Sequence, residues 1–235
     1  MIRFDKILFL FLALCFFGQI ASADQLSSKP ASMPDDLSLS LVEIITHVEA
    51  RYSVSGFSAQ FFQTSTIKAM DITDTASGTA YFKRPGKMRW KYEAPERQMI
   101  ITDGNTLWIY RPDDNQVMIG KAPSFFKGGK GFSFLSDMKE IRQKFKMSLE
   151  KEGSEGFWVL KLLPKEKTVD IVKIFLTISK ATFDVVEIAT YNSYGDQTRF
   201  VFSHIQFKKK IDDSLFHFNI PKGVEVLHLD EQGDM

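Results

Sequence analysis

The spacing of hydrophobic residues changes from helical to alternating near residue 56. Upstream of this point, apolar side chains recur at intervals of three and four, which predicts one amphipathic helix of about four turns. Either Asp36 or Ser38 could cap its first turn. The helical positions are Leu37, Leu41, Ile44, Ile45, Val48 and Tyr52.

Downstream of Phe57, short runs of alternating apolar and polar residues are separated by turn residues, a pattern typical of β-strands. The short links favour antiparallel pairing between consecutive strands. About eleven strands and a leading helix predict an α+β domain with a strongly curved sheet or barrel. The predicted strands are residues 56–67, 75–84, 87–93, 97–102, 106–111, 116–121, 145–151, 157–164, 171–179, 185–193 and 197–208.

Residues 81–96, YFKRPGKMRWKYEAPE, have the composition of a β-hairpin. Pro85 fixes its own φ, and Gly86 tolerates the positive φ that a chain reversal needs. We predict a three-residue loop, Pro85 to Lys87, because this length separates apolar from charged residues. One face would then carry Gly78, Ala80, Phe82, Arg84, Met88, Trp90 and Tyr92. The other would carry Thr79, Tyr81, Lys83, Arg89, Lys91 and Glu93, with Arg89 and Lys91 in solvent.

Arg84 would end the apolar face of this hairpin. A guanidinium has five N–H donors, which must find acceptors if the side chain is covered. The alternative is an arginine that is solvated at a turn. Position alone leaves both interpretations open.

The segment 121–143 breaks the strand pattern, with three glycines within residues 128–131 and a stretch that could hold a short helix. A phosphate-binding loop is disfavoured because Gly129-Lys130 is followed by Gly131 instead of Ser or Thr. We interpret this segment as a mobile covering element.

The chain begins with features of a secretory signal peptide. Arg3 and Lys6 precede an apolar run, Ile7 to Phe17, that is too short for a bilayer span of ~20 residues. Ala21-Ser22-Ala23 resembles a cleavage site, so residues 1–23 would be removed. Residues 24–36 would form a flexible lead-in, and residues 37–235 a single domain.

Cleavage would also remove Cys15, the single cysteine, so a disulfide-stabilised fold is excluded for the exported protein. A lipid anchor on Cys15 is disfavoured because Leu14, not a small residue, precedes it. The net charge of +1 indicates no nucleic-acid partner.

Residues typical of catalysis or metal binding are missing. The sequence has no G-x-S-x-G motif, and its four histidines show no metal-binding spacing. We therefore expect a non-enzymatic binding protein without a cofactor.

Several further stretches occur in a defined order and spacing along nearly all of the mature chain. Each stretch is weak alone, and the ordered set is fairly specific. They are Phe57-Ser58-Ala59-Gln60-Phe61-Phe62-Gln63, Lys83-Arg84-Pro85-Gly86 with Met88 and Trp90, Pro95, Asp103 to Tyr110, Phe216-His217-Phe218, and Pro221 to Val226. In this order and spacing the chain resembles the periplasmic lipoprotein carrier family, LolA.

The resemblance implies an incomplete antiparallel β-barrel whose apolar concave face lies under a helical lid. It also implies a monomeric periplasmic chaperone for acylated lipoproteins, with an inner-membrane ABC-type transporter and an outer-membrane receptor as partners. Arg84 falls on the family arginine that holds the lid closed. The implied acyl-chain cavity is lined by Phe61, Ala80, Phe82, Met88, Trp90, Tyr92, Ile101 and Leu107.

Met88 and the glycine-rich stretch depart from familiar members of the family. Met88 stands where some members carry an aromatic residue that contacts the transporter, and the stretch 127–131 also differs from those members. The alternatives are a carrier of another envelope lipid or glycolipid, a sensor of mislocalised lipoproteins, and an enzyme of envelope lipids. The outer-membrane receptor LolB shares the fold, but it would need a cysteine where Asp24 stands.

Overall fold

The computed structural model describes residues 39–125, 139–150, 155–166 and 169–229, which form one twelve-stranded sheet with three short helices. The predicted signal peptide, the lead-in and the glycines of the covering segment lie outside these residues. None of the described helices has the length and apolar character needed to cross a bilayer. The helices are α1 Leu41–Arg51, α2 Ala122–Phe125 and α3 Lys139–Lys144. The strands are β1 Gly56–Ile67, β2 Ile72–Lys83, β3 Lys87–Ala94, β4 Gln98–Thr102, β5 Thr106–Arg111, β6 Gln116–Lys121, β7 Phe145–Leu149, β8 Phe157–Pro164, β9 Lys173–Ser179, β10 Val185–Tyr191, β11 Gln197–Lys208 and β12 Glu225–His228.

The sheet consists of two antiparallel meanders joined edge to edge. Strands β1 to β6 pair in chain order, strands β7 to β11 do the same, and β11 pairs with β1. The sheet ends at β7 on one side and at β12 on the other, so it does not close into a barrel. This confirms the predicted fold class.

The twelfth strand was absent from the sequence prediction. It pairs parallel to β6, and backbone bonds flank it from Glu225 N–H to Asn115 C=O (3.0 Å) and from Leu229 N–H to Ile119 C=O (2.8 Å). All four of its side chains are exposed, so no alternation of burial marks it.

Helix α1 is shorter than predicted and starts at a different cap. Ser40 is the N-cap, and it exchanges hydrogen bonds with Glu43 in a capping box. The Glu43 carboxylate accepts the backbone N–H of Ser40 at 2.8 Å. The helix therefore begins at Leu41, and neither Asp36 nor Ser38 caps it.

The β2–β3 hairpin has a three-residue loop, but the loop is Arg84 to Gly86. Lys83 pairs with Lys87 and Phe82 with Met88, two positions away from the predicted register. Arg84 leaves the ladder because its backbone N–H donates to Ser55 C=O at 3.1 Å, and Gly86 reverses the chain at φ +64°. A shift of two residues keeps every side chain on its face, so the predicted separation of Phe82 and Trp90 from Tyr81 and Lys91 is correct.

The face of the sheet that carries Phe61 and Trp90, called here the inner face, holds the main core. Helix α1 buries Ile44, Ile45 and Val48 against it, and α3 adds Ile141. We call α1 and α3 together the helical cover. The sheet contributes Phe57, Ala59, Phe61, Ala80, Phe82, Met88, Trp90, Phe145, Leu160, Leu162, Ile174, Leu176, Ile178, Val185, Ile188, Phe200 and Phe202.

The opposite, outer face is crossed by the chain that follows β11. A 3₁₀ turn, Asp213–Phe216, lies in this crossing segment and buries Phe216. The Arg89 guanidinium donates to Leu215 C=O at 3.1 Å and contacts Met99 Sδ at 3.2 Å. Arg89 was predicted to face solvent, and this prediction is wrong because the crossing segment covers the side chain. Lys91 is exposed as predicted.

We expect Arg89→Met to lower the free energy of unfolding by about 1–2 kcal/mol, because the crossing segment loses a charged donor to Leu215. Lys91→Met is the matched control on the same face of the same strand. Lys91 bonds only exposed Glu93 among the described contacts, so its replacement should change stability by less than about 0.5 kcal/mol. Urea denaturation measures both variants, and equal losses would contradict the assigned role of Arg89.

Candidate functional site

An aromatic cluster occupies the centre of the inner face. The Trp90 ring lies 5.0 Å from Phe61, 5.4 Å from Phe82 and 5.2 Å from Phe200, measured between ring centroids. These edge-to-face contacts are a favoured geometry for aromatic pairs. The cluster forms a continuous apolar surface across β1, β2, β3 and β11.

Six of the eight predicted cavity residues belong to this surface. Phe61, Ala80, Phe82, Met88 and Trp90 are at most 5% exposed in one cluster, and Tyr92 packs against it. Their proximity follows from the register, in which Ala80 pairs with Trp90 and Gly78 pairs with both Phe61 and Tyr92.

The remaining two predicted residues lie elsewhere. Leu107 is on the inner face, but it belongs to a separate small cluster with Ile109 and Ala122. Ile101 is on the outer face beside Trp108 and Val117, which corrects its assignment to the cavity. The register explains the difference, because Ile100 pairs with Trp90 and its neighbour Ile101 must therefore point the other way.

The helical cover is held together by Arg142 of α3. Its Nε donates to Glu49 Oε1 at 2.6 Å and its Nη2 to Thr46 Oγ1 at 2.9 Å, and both acceptors lie on α1. The Glu49 side chain is 20% exposed, so this ion pair is only partly screened by water.

The C-terminal end of α1 is fixed to the sheet. The Val185 backbone N–H donates to the Tyr52 hydroxyl at 3.0 Å, and Arg51 Nε donates to Asp184 Oδ1 at 2.8 Å. Burial raises the pKa of Tyr52 well above its ordinary value, so its hydroxyl stays protonated. Helix α1 is therefore anchored to the sheet at its C-terminal end.

Arg84 lies at this anchored end, in the turn beside Ser55. Its side chain is half-buried. Within the described ranges its guanidinium makes no hydrogen bond or ion pair, and the glycine-rich segment lies outside those ranges. Its predicted role in holding the lid stays a prediction.

Three hydrogen-bonded side chains, Tyr92, Gln63 and Ser65, lie at the border of the aromatic surface. The Tyr92 hydroxyl donates to Gln63 Oε1 at 3.0 Å, and Gln63 Nε2 donates to Ser65 Oγ at 2.9 Å. Burial raises the pKa of Tyr92 to about 12. Tyr92 thus contributes its ring to the apolar surface and a neutral hydroxyl to its edge.

Later strands contribute the other part of the apolar surface, and none of their residues was among the predicted cavity residues. Phe202 pairs with Phe61 and Phe200 pairs with Gln63, while Ile188 continues the inner face on β10. The alternation in Phe200-Val201-Phe202 is a usable signal for a strand with one apolar face. It does not reveal the pairing of β11 with β1, because these strands are distant in the chain and meet only in the folded protein.

A metal centre has no ligand set among the residues that the structure describes, where no three His, Cys, Asp or Glu side chains cluster suitably. The arrangement offers instead a large apolar surface, a helical cover over it and a small set of hydrogen-bonding groups at its edge. This chemistry suits the binding of hydrocarbon.

Comparison with known proteins points to one family. The family model "Outer membrane lipoprotein carrier protein LolA" matches residues 52–219. An outer-membrane lipoprotein carrier protein of Nitrosospira multiformis is 35% identical over 173 residues, which cover 72% of this chain and 80% of the relative. Another, of Hahella chejuensis, is 30% identical over 175 residues, which cover 74% of this chain and 83% of the relative.

One solved structure supports the fold alone. It is an uncharacterized conserved protein from Thermus thermophilus, with a TM-score of 0.52 and 16% identity. The match covers 80% of this chain and 98% of that one.

We expect the stability of the protein to fall as the pH rises from 10 toward 12, in part because Tyr92 must stay protonated in the folded state. A tyrosine whose pKa is higher in the folded than in the unfolded protein stabilises the fold at pH values below its unfolded-state pKa. This stabilisation is lost as the pH rises through its folded-state pKa. Tyr92→Phe removes the titrating group, so its alkaline loss should be smaller by about 1 kcal/mol near pH 11. Urea denaturation of both proteins at neutral and alkaline pH measures the difference, and identical losses would contradict the burial of the Tyr92 hydroxyl.

Proposed function

The chain belongs to the outer membrane lipoprotein carrier family, LolA, and from this premise we propose that it is a chaperone for acylated lipoproteins. It shields the acyl chains of lipoproteins released from the inner membrane and carries them to the outer membrane. The inner face is the binding surface, and the helical cover closes it when no cargo is bound.

The observation that carries this proposal is the aromatic cluster of the inner face beneath helices. Trp90 is 5% exposed and Phe82 is 1% exposed, although the sheet itself is open at both edges. Each methylene that leaves water contributes ~0.8 kcal/mol, so an acyl chain needs an apolar surface of this kind to leave a membrane.

Binding requires the cover to move, because α1 occupies the apolar surface in this state. Ile44, Ile45 and Val48 must separate from the sheet before an acyl chain can replace them. The sheet then exchanges one apolar contact for another, and the free-energy cost of opening lowers the net affinity. A moderate affinity permits both loading and release.

The proposed route implies a compartment and two protein partners. The protein is periplasmic, exported by its N-terminal signal peptide, and acts without catalysis. An inner-membrane ABC-type transporter supplies the cargo, and an outer-membrane receptor accepts it. The names of the relatives favour lipoprotein cargo over another envelope lipid and over a sensor role.

The first test uses Trp90 as the reporter, in a Trp108→Phe/Trp158→Phe variant that keeps no other tryptophan. Its emission should shift when an acylated peptide displaces the cover, since α1 leaves and hydrocarbon takes its place. The same peptide without acyl chains should cause no shift. A fluorescence titration measures the response.

The matched control keeps Trp108 as the single tryptophan, because Trp108 lies in the outer-face cluster. Its emission should not respond to either peptide. An acylated peptide that fails to bind, or that shifts Trp108 and leaves Trp90 unchanged, would refute the inner face as the binding surface.

Arg84 is the residue through which the closed state is held. Its backbone is bonded to Ser55, close to the end of α1, so its guanidinium lies in the region where the cover joins the sheet. Loss of its donors favours the open state, and the open state retains cargo more strongly.

Arg84→Leu should therefore bind acylated peptide at least as tightly as the wild type and release it more slowly to the receptor. The control is Arg84→Lys, which keeps the positive charge and should be intermediate. Transfer of a fluorescent lipopeptide to receptor-bearing vesicles measures release. If Arg84→Leu left the transfer rate unchanged, the proposed role would be wrong and Arg84 would be an arginine that is solvated at the turn.

A further inference from the structure

The inner face changes from apolar to polar along a single strand. On β1, Phe61 is 3% exposed, and the next inner-face positions are Gln63 and Ser65. Across the β1–β11 ladder, Phe200 stands beside Gln63 and Thr198 stands beside Ser65. Gln63 is therefore the first polar side chain beyond the aromatic cluster.

The hydrogen bonds of Gln63 define its orientation. Its carbonyl oxygen accepts the Tyr92 hydroxyl at 3.0 Å, and its amide nitrogen donates to Ser65 at 2.9 Å. An amide nitrogen carries two N–H donors, and the contacts among the described residues use one of them. The second N–H is therefore available at the edge of the apolar surface.

Tyr92 contacts both the aromatic cluster and the polar side chain of Gln63. Its ring lies 5.0 Å from that of Phe61 in an edge-to-face contact, while its hydroxyl bonds Gln63. A ligand that lies over the aromatic cluster and leaves it along β1 passes this pair.

In a lipoprotein, apolar and polar groups meet where the acyl chains are linked to the peptide. Its acyl chains are hydrocarbon, and ester and amide carbonyl groups join them to the peptide. These carbonyls are hydrogen-bond acceptors, and burying them without donors would be costly. An amide N–H at the edge of an apolar surface can satisfy such an acceptor.

We propose that Gln63, positioned by Tyr92 and Ser65, donates a hydrogen bond to a linkage carbonyl of the bound acyl chains. This inference rests on the proposed function and adds an orientation to it. The hydrocarbon lies over Phe61 and Trp90, and the peptide leaves past Ser65 toward the β1–β2 turn. Gln63 thereby selects acyl chains that carry a carbonyl at the right depth.

The test compares two synthetic lipopeptides of equal chain length. One carries two ester-linked acyl chains on its N-terminal cysteine, and the other carries the same chains through ether linkages, which have no carbonyl. The wild type should bind the ester form about three- to tenfold more tightly, the range expected for one hydrogen bond. Gln63→Leu should abolish this preference and leave the affinity for the ether form within about twofold.

Two further variants keep the result interpretable. The double variant Gln63→Leu/Tyr92→Phe removes both partners of one hydrogen bond, so it tests the preference without stranding the Tyr92 hydroxyl. Gln60→Leu is the matched control, because Gln60 is exposed on the outer face of the same strand, and it should keep the full preference.

The outcomes separate this inference from the proposed function. A preference that persists in both Gln63 variants, or a wild type that does not distinguish the two lipopeptides, would overturn the role of Gln63 while leaving acyl binding intact. If the wild type bound neither lipopeptide, the proposed function would fail and this inference with it.

Discussion

The central constraint on this protein is that its open sheet cannot bury its own inner face. Among the described residues the sheet ends at β7 and β12 without closing, and no second sheet packs against the aromatic cluster around Trp90. Helices α1 and α3 supply the missing layer through apolar packing. The outer face is closed differently, because Arg89 and Lys83 bind backbone carbonyls of the crossing segment with charged donors. In the proposed function, the layer that completes the inner core is also the layer that leaves it to admit cargo.

Both helices of the cover are attached to the sheet by polar contacts. At the C-terminal end of α1, Tyr52 and Arg51 bind the start of β10. Farther toward the N-terminus, the described polar links run from Thr46 and Glu49 to α3, itself part of the cover. Helix α3 is fixed to the sheet in turn, because it continues directly into β7 and Lys165, just after β8, donates its backbone N–H to Lys144 C=O and its Nζ to Arg142 C=O, both at 2.9 Å.

Much of the fold was determined by the sequence alone. Strands β1, β5, β6, β8 and β11 have the predicted bounds, and the predicted faces of Phe82, Trp90 and Lys91 are correct. The reason is local: alternation along a strand specifies which residues share a face, and a hairpin loop of odd length keeps that assignment even when the register moves by two.

Only the tertiary structure determined which elements pack against each face of the sheet. Alternation did not reveal that Ile101 points away from Trp90, that Arg89 lies under the crossing segment, or that β12 adds to the edge through backbone bonds. It also did not reveal that Gln63 and Tyr92, from different strands, meet at the border of the aromatic cluster. These contacts join separate elements of the chain, and local periodicity carries no information about which distant partner a face will find.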